Sequence, residues 1–124
     1  MTMLPLTFAM TGASGAPYAV RLLRALNEAH VPVRLVISRT GWRLLHEELD
    51  ITGEAGLRAV TGDWSNVILY PDDDRGATPA SGSAPSMGMV VCPCSMGTLA
   101  SIAQGTTRSL IERAADVVLR SDAS

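Results

Sequence analysis

The chain has 124 residues, 47% of them hydrophobic, enough for one domain (1–124) with a buried core. Ten basic against twelve acidic side chains leave a formal charge of −2 with no basic run, which argues against nucleic acid as a partner. No stretch approaches the length of an apolar membrane span and the N-terminus has no secretory pattern, so the sequence reads as a cytoplasmic protein with no membrane partner.

Leu6 to Met10 is a short apolar run that enters the turn MTGASGAP. Tyr18, Leu22, Leu23 and Leu26 then recur at helical spacing up to about Ala29. Val31 to Ile37 is a second, β-branched strand candidate, ending at Ser38 before a helical segment from Gly41 to Leu49. The βαβα order predicts a Rossmann-like α/β sandwich, a parallel sheet between layers of helices. Asp50 to Asp63 is a weak helical pattern interrupted by Gly53, Gly56 and Gly62, and Val67 to Tyr70 reads as a third strand. Pro71 to Ser86 has the composition of an exposed loop. Met87 to Cys92 resumes the strand pattern, Ser95 opens a helix to about Gln104, and Gly105 ends it. A last helix starts near Ser109, with Val117 to Leu119 either extending it or beginning a strand.

Cys92 and Cys94 are too close for an ordinary structural disulfide, and no second Cys or His cluster completes a zinc site. They read as packing residues, and no metal is expected. The turn from Thr11 to Gly15 lies between a strand and a helix, where free amides suit a phosphate. It matches neither the dinucleotide fingerprint nor a P-loop, so a phosphate cradle and a tight packing turn both remain open. Two further loops, at Ser38 and at Cys94 to Thr98, follow strands of the same sheet. In an open parallel sheet they reach the same carboxyl edge, where ligands bind.

Four segments carry a family resemblance: TGASGAPYAVRLLRAL at 11–26, LVIS at 35–38, PASGS at 79–83, and VCPCSMGTLASIAQGTTRSLIERAADVVLR at 91–120. They are similar to the UbiX-type flavin prenyltransferases, FMN-binding Rossmann-like flavoproteins. The resemblance implies transfer of a dimethylallyl group from dimethylallyl phosphate to reduced FMN, giving the prenylated cofactor of a UbiD-type decarboxylase. It implies flavin contacts at Gly12, Ala13, Ser14, Ser38, Ser95, Met96, Gly97, Thr98 and Arg113, with catalytic roles for Ser14 and Glu48. Glu48 is placed by its spacing from Ser38, and Glu47 beside it is the competing carboxylate. Arg120 stands where a cation for the prenyl phosphate is common.

Relatives continue past RAADV into strands and a basic segment that the SDAS ending of this chain does not match. The alternative reading is therefore a module that binds FMN or prenyl-FMN without transferase activity. Relatives also form dodecamers, with PASGS in an interface, which implies a homo-oligomer. A cysteine decarboxylase of the same superfamily fits less well, because Ser38, Arg39 and Thr40 stand where those enzymes carry a histidine and PASGS replaces their PASANT-like motif.

Overall fold

A computed structural model describes residues 3–122. Four parallel strands form one sheet in the order β3-β2-β1-β4, with β1 at Leu6–Met10, β2 at Val33–Ile37, β3 at Val67–Pro71 and β4 at Gly88–Val91. The helices are α1 (Ala16–Glu28), α2 (Arg39–Leu49), α3 (Gly53–Thr61), α4 (Met96–Gln104) and α5 (Leu110–Asp122). A single 3-10 turn at Thr78–Ala80 interrupts the long loop.

β1 pairs with two neighbours and is covered by helices on both faces of the sheet, so its side chains are buried on both sides and its sequence shows no strict alternation. Phe8 and Met10 point to one side, where they join Ala19, Leu23, Leu35, Leu45 and Leu57 in the larger core beneath α1, α2 and α3. Ala9 points to the other side and meets Val36, Leu110 and Ile111 beneath α5. Helices on both faces of a parallel sheet make three layers, the expected architecture.

The boundaries differ from the sequence reading in ways that have local causes. β2 begins at Val33, because the Val31 amide still bonds back to Leu26 and Pro32 offers no amide. α2 begins two residues early, at Arg39, because Ser38 caps it. The interrupted pattern at 50–63 is α3: Gly62 (φ 103°) takes up the conformation that ends it, and Gly53 (φ 65°) begins it. Val117 to Leu119 continues α5, whose start is fixed by Ser109, its hydroxyl accepting from the Glu112 amide at 3.2 Å. A carboxylate far away in sequence adds to that cap: Asp72 Oδ1 accepts from the Ile111 amide at 3.0 Å. The final two residues of the SDAS ending lie outside the described residues.

Candidate functional site

The strand order reverses at β1: α1 leaves on one face of the sheet, while the chain reaches β4 by way of the loop on the other. Such a switch point opens a crevice at the carboxyl ends of the strands. The loops after β1, β2 and β4 meet there and are bonded to one another. The Ser38 amide donates to Met10 O at 3.0 Å, tying the second loop to the first. The Thr11 amide donates to Pro93 O at 3.0 Å, tying the first to the third.

Glycines let these loops approach. A Cβ on Gly12 would strike the side chain of Thr40, and one on Gly41 would lie 2.6 Å from Met10 O. Gly15 has φ 118°, which L side chains rarely adopt. Gly12 and Gly41 thus join the β1 loop to the first turn of α2. Gly97 is different, for its Cβ position meets nothing within 4 Å.

Each helix that starts at this edge is capped. Ser38 Oγ accepts from the Gly41 amide at 3.0 Å and lies 3.1 Å from the Thr40 hydroxyl. Ser95 Oγ accepts from the Thr98 amide at 3.1 Å and donates to the Thr98 hydroxyl at 2.8 Å. The N-terminus of α1 has no cap of its own. Glu48 supplies one from the far end of α2, its Oε1 accepting from the amides of Gly15 at 3.2 Å and Ala16 at 2.9 Å. A carboxylate at a helix N-terminus is favoured by the orphan amides and by the helix dipole. Glu47, one position earlier, points elsewhere and pairs with Arg43 at 3.9 Å on the exposed face of α2.

Of the residues singled out from sequence, Gly12, Ala13, Ser14, Ser38, Ser95, Thr98 and Glu48 belong to this interlocked set of loops. Ser14 is exposed, and its hydroxyl has no partner among the described residues. Met96 is 79% exposed and projects from the first turn of α4 beside Gly97. Thr11 departs from its expected place in the cradle: it is 2% exposed and its hydroxyl is committed to the β4 loop, so it does not face a phosphate.

Arg113 is not brought to the glycine loop. It is exposed and lines a recess of about 230 Å³ with Thr107, Asp116 and Arg120, among others. Arg120 pairs there with Asp116 at 2.8 Å. On α5 the buried positions are Leu110, Ile111, Glu112, Ala114 and Ala115, which leaves Arg113 facing outward.

Two cations that the sequence did not single out lie closer to Ser38. Arg39 and Arg108 line a recess of about 450 Å³ with Ile37, Trp42, Asp72 and Ser109, at the carboxyl ends of β2 and β3. Arg108 is steadied there by Ser101 at 3.0 Å and Glu112 at 3.4 Å. Burial pushes the Asp72 carboxyl up, against the lowering effect of its bond from the Ile111 amide. Burial also pushes the Cys94 thiol up, which keeps it protonated and a poor nucleophile. Both cysteines are free, and no cluster of metal-ligating side chains occurs among the described residues. Nor is any described helix long and apolar enough to cross a membrane.

A parallel sheet with hydroxyl- and glycine-bearing loops at its switch point defines a doubly wound α/β protein, and the family profile specifies which kind. The profile of the flavoprotein family matches residues 1–123, and the chain belongs to that family. Within it, the chain is similar to the flavin prenyltransferase UbiX of Halalkalibacterium halodurans, 42% identical over 119 residues, which cover 92% of this chain and 57% of that protein. The fold is similar to that of AnUbiX (PadA1) crystallised with FMN and dimethylallyl pyrophosphate, at 35% identity and TM-score 0.85, covering 96% of this chain and 60% of that one. It is equally similar to a dodecameric FMN-dependent UbiX-like decarboxylase from Escherichia coli O157:H7, at 38% identity and TM-score 0.85, covering 96% and 62%. The chain therefore spans about three fifths of the length of these relatives.

Proposed function

We propose that this chain is the flavin-holding part of a flavin prenyltransferase, which joins the dimethylallyl group of dimethylallyl phosphate to reduced FMN. The observation that carries the proposal is the convergence of three hydroxyl- and glycine-bearing loops on the switch point. The donor set fits the group. The hydroxyl pairs Ser38–Thr40 and Ser95–Thr98 each keep one O–H to donate, at two helix N-termini, and the amides of Gly12 and Ser14 are bonded to no other described residue. When bound, reduced flavin supplies the electron-rich N5 and C6 on which the prenyl group closes a fourth ring.

Glu48 decides where the phosphate goes. Its carboxylate already occupies the first amides of α1, so those donors are taken and a second anion there would meet a like charge. We therefore place the flavin phosphate at the hydroxyl-bearing first turns of α2 and α4, and the ring edge beside Gly12, Ala13 and Ser14. Met96 and Gly97 border the ring on the α4 side. Ser14 then has a free hydroxyl for the reacting edge or the departing phosphate. Glu48 Oε1 holds the loop while Oε2 is left to carry a proton.

The remaining roles belong to an assembled protein. Met96 and Leu99 are exposed apolar side chains on α4, Leu119 is another on α5, and β4 is an open edge of the sheet. We infer a homo-oligomer that covers them, a reading supported by the dodecameric state of one relative. Arg113 and Arg120, on their separate recess, are assigned to anion contacts made across subunits. The 124 residues act on this reading as one flavin-binding unit in the cytoplasm, and the product serves a UbiD-type decarboxylase.

The second reading is a module that binds FMN or prenyl-FMN without transferring the prenyl group, for which the three converging loops would suffice. Anaerobic incubation with reduced FMN and dimethylallyl phosphate, followed by mass spectrometry of the bound flavin, separates the two. One prenyl increment on the flavin is the expected result. Bound flavin with no increment removes the transferase and leaves the binding module, and absence of bound flavin removes both.

A further inference from the structure

The loops after β1 and β4 lie on the two sides of the switch point, and the helices that follow them carry the chain away from each other. Their relative position determines whether a flat ligand is held between them. Pairing of the two strands ends at Ala9 and Val91, with one further bond from the Cys92 amide to Ala9 O at 2.9 Å. Beyond that point a single main-chain bond continues the pairing, from the Thr11 amide to Pro93 O at 3.0 Å.

One side chain adds two more bonds to it and reaches past Pro93 to Ser95. Thr11 Oγ1 donates to Pro93 O at 2.8 Å and accepts from the Ser95 amide at 2.8 Å, using its donor and an acceptor on a loop 82 to 84 residues away. Ser95 is also the cap of α4, so the same contact fixes the start of that helix. Pro93 has no amide of its own to offer, and its carbonyl accepts from both the amide and the hydroxyl of Thr11. Thr11 is buried, so water does not readily replace a lost partner.

We propose that Thr11 is the positioning residue of the flavin site: its hydroxyl sets the distance and orientation between the two ligand-facing loops across the switch point. The inference rests on the flavin reading above and adds to it a residue that touches no ligand. Valine has nearly the shape of threonine and neither hydrogen-bonding function, whereas serine keeps both. Thr61 provides a matched control on α3, away from the loops. Its hydroxyl likewise donates to Leu57 O at 2.7 Å and accepts from Trp64 Nε1 at 2.8 Å, and it is equally buried.

The test compares wild type, Thr11→Val, Thr11→Ser and Thr61→Val by thermal unfolding, by FMN titration followed through flavin absorption and fluorescence, and by amide exchange at Ser95. Thr11→Val is expected to weaken FMN about tenfold, alter the bound-flavin spectrum and speed exchange of the Ser95 amide. Thr11→Ser is expected to restore all three. Thr61→Val is expected to lower the melting temperature while leaving FMN affinity and spectrum unchanged. Wild-type affinity and spectrum in Thr11→Val overturn the proposal, as does an equal loss in Thr61→Val. If wild type binds no FMN, the flavin reading fails on its own, and Ser95 exchange still decides the loop coupling: an unchanged rate in Thr11→Val overturns it.

Discussion

Alanine for glycine at position 41 sets two effects of opposite sign against each other. Gly41 is the third residue of α2, where alanine is favoured over glycine by about 1 kcal/mol on helix propensity alone. Against this, the new Cβ would lie 2.6 Å from Met10 O, where ordinary contact begins at 3.4 Å, and 3.1 Å from Ile37 Cγ2. Met10 O cannot swing aside cheaply, because it accepts from the Ser38 amide at 3.0 Å. α2 has to move off the sheet instead, loosening Leu45 and Trp42 against the core. Overpacking against backbone belongs at the upper end of its usual range, about 3 kcal/mol. The net loss is then about 2 kcal/mol, or roughly 6–10 °C in melting temperature for a chain of this size. Gly97→Ala is the companion measurement: a helical glycine with open space around it, expected to raise stability by about 0.5–1 kcal/mol. Thermal and denaturant unfolding of both variants give the answer, and a Gly41→Ala protein more stable than wild type would refute the close approach of α2 to the β1 loop.

Glu48→Ala removes the cap on α1 and should cost about 1 kcal/mol. Glu48→Gln keeps an acceptor oxygen and should hold stability within about 0.5 kcal/mol, so a large loss of prenylation in a Glu48→Gln protein of retained stability would assign proton transfer to the carboxylate. Ser14→Ala should leave the melting temperature unchanged and impair prenylation, while unchanged turnover would remove Ser14 from the chemistry. The Asp72 carboxyl is raised by burial, so the folded protein binds more protons than the unfolded chain from about pH 3.8 up to the raised value, and its contribution to stability is lost as pH climbs through that window. Asp72→Asn keeps the acceptor for the Ile111 amide and should flatten this slope; an unchanged slope in denaturant unfolding measured across acid pH would count against Asp72 as its source.

The parts of the fold that were legible in the sequence were those set by local pattern. The apolar run Leu6–Met10, the helical recurrence after Pro17 and the break at Gly105 each depend on neighbours in the chain. α3 was blurred because Gly53 and Gly62 look like interruptions, although their positive φ values place them at its ends. Glu47 and Glu48 could not be separated by counting alone. Adjacent helical residues point about 100° apart, and only the placement of α2 over the β1 loop shows which one reaches Gly15. Arg113 looked like a flavin contact by motif position, yet the burial of Leu110, Ile111, Ala114 and Ala115 turns it outward. Thr11 was visible as part of the glycine turn, but nothing local says that its hydroxyl serves a loop more than 80 residues away.

The glycine turn therefore has a different meaning from the one its composition suggests. A glycine-rich strand-to-helix turn is commonly a seat for phosphate, because small residues expose the amides of the following helix. Here the glycines first serve protein contacts: Gly12 admits Thr40, Gly41 admits Met10 O, and Gly15 shapes a helix start whose amides Glu48 already holds. On the flavin reading proposed above, what remains for the ligand is the rim, the Gly12 and Ser14 amides and the hydroxyls of Ser14, Ser38, Thr40, Ser95 and Thr98. Such a rim suits a ligand with a phosphate at one end and a polar ring edge at the other better than a bare phosphate. Because every loop on it is bonded to another, displacement of one shifts the rest. Binding at this site should accordingly be sensitive to residues such as Thr11 and Gly41, which touch no ligand, as well as to those that do.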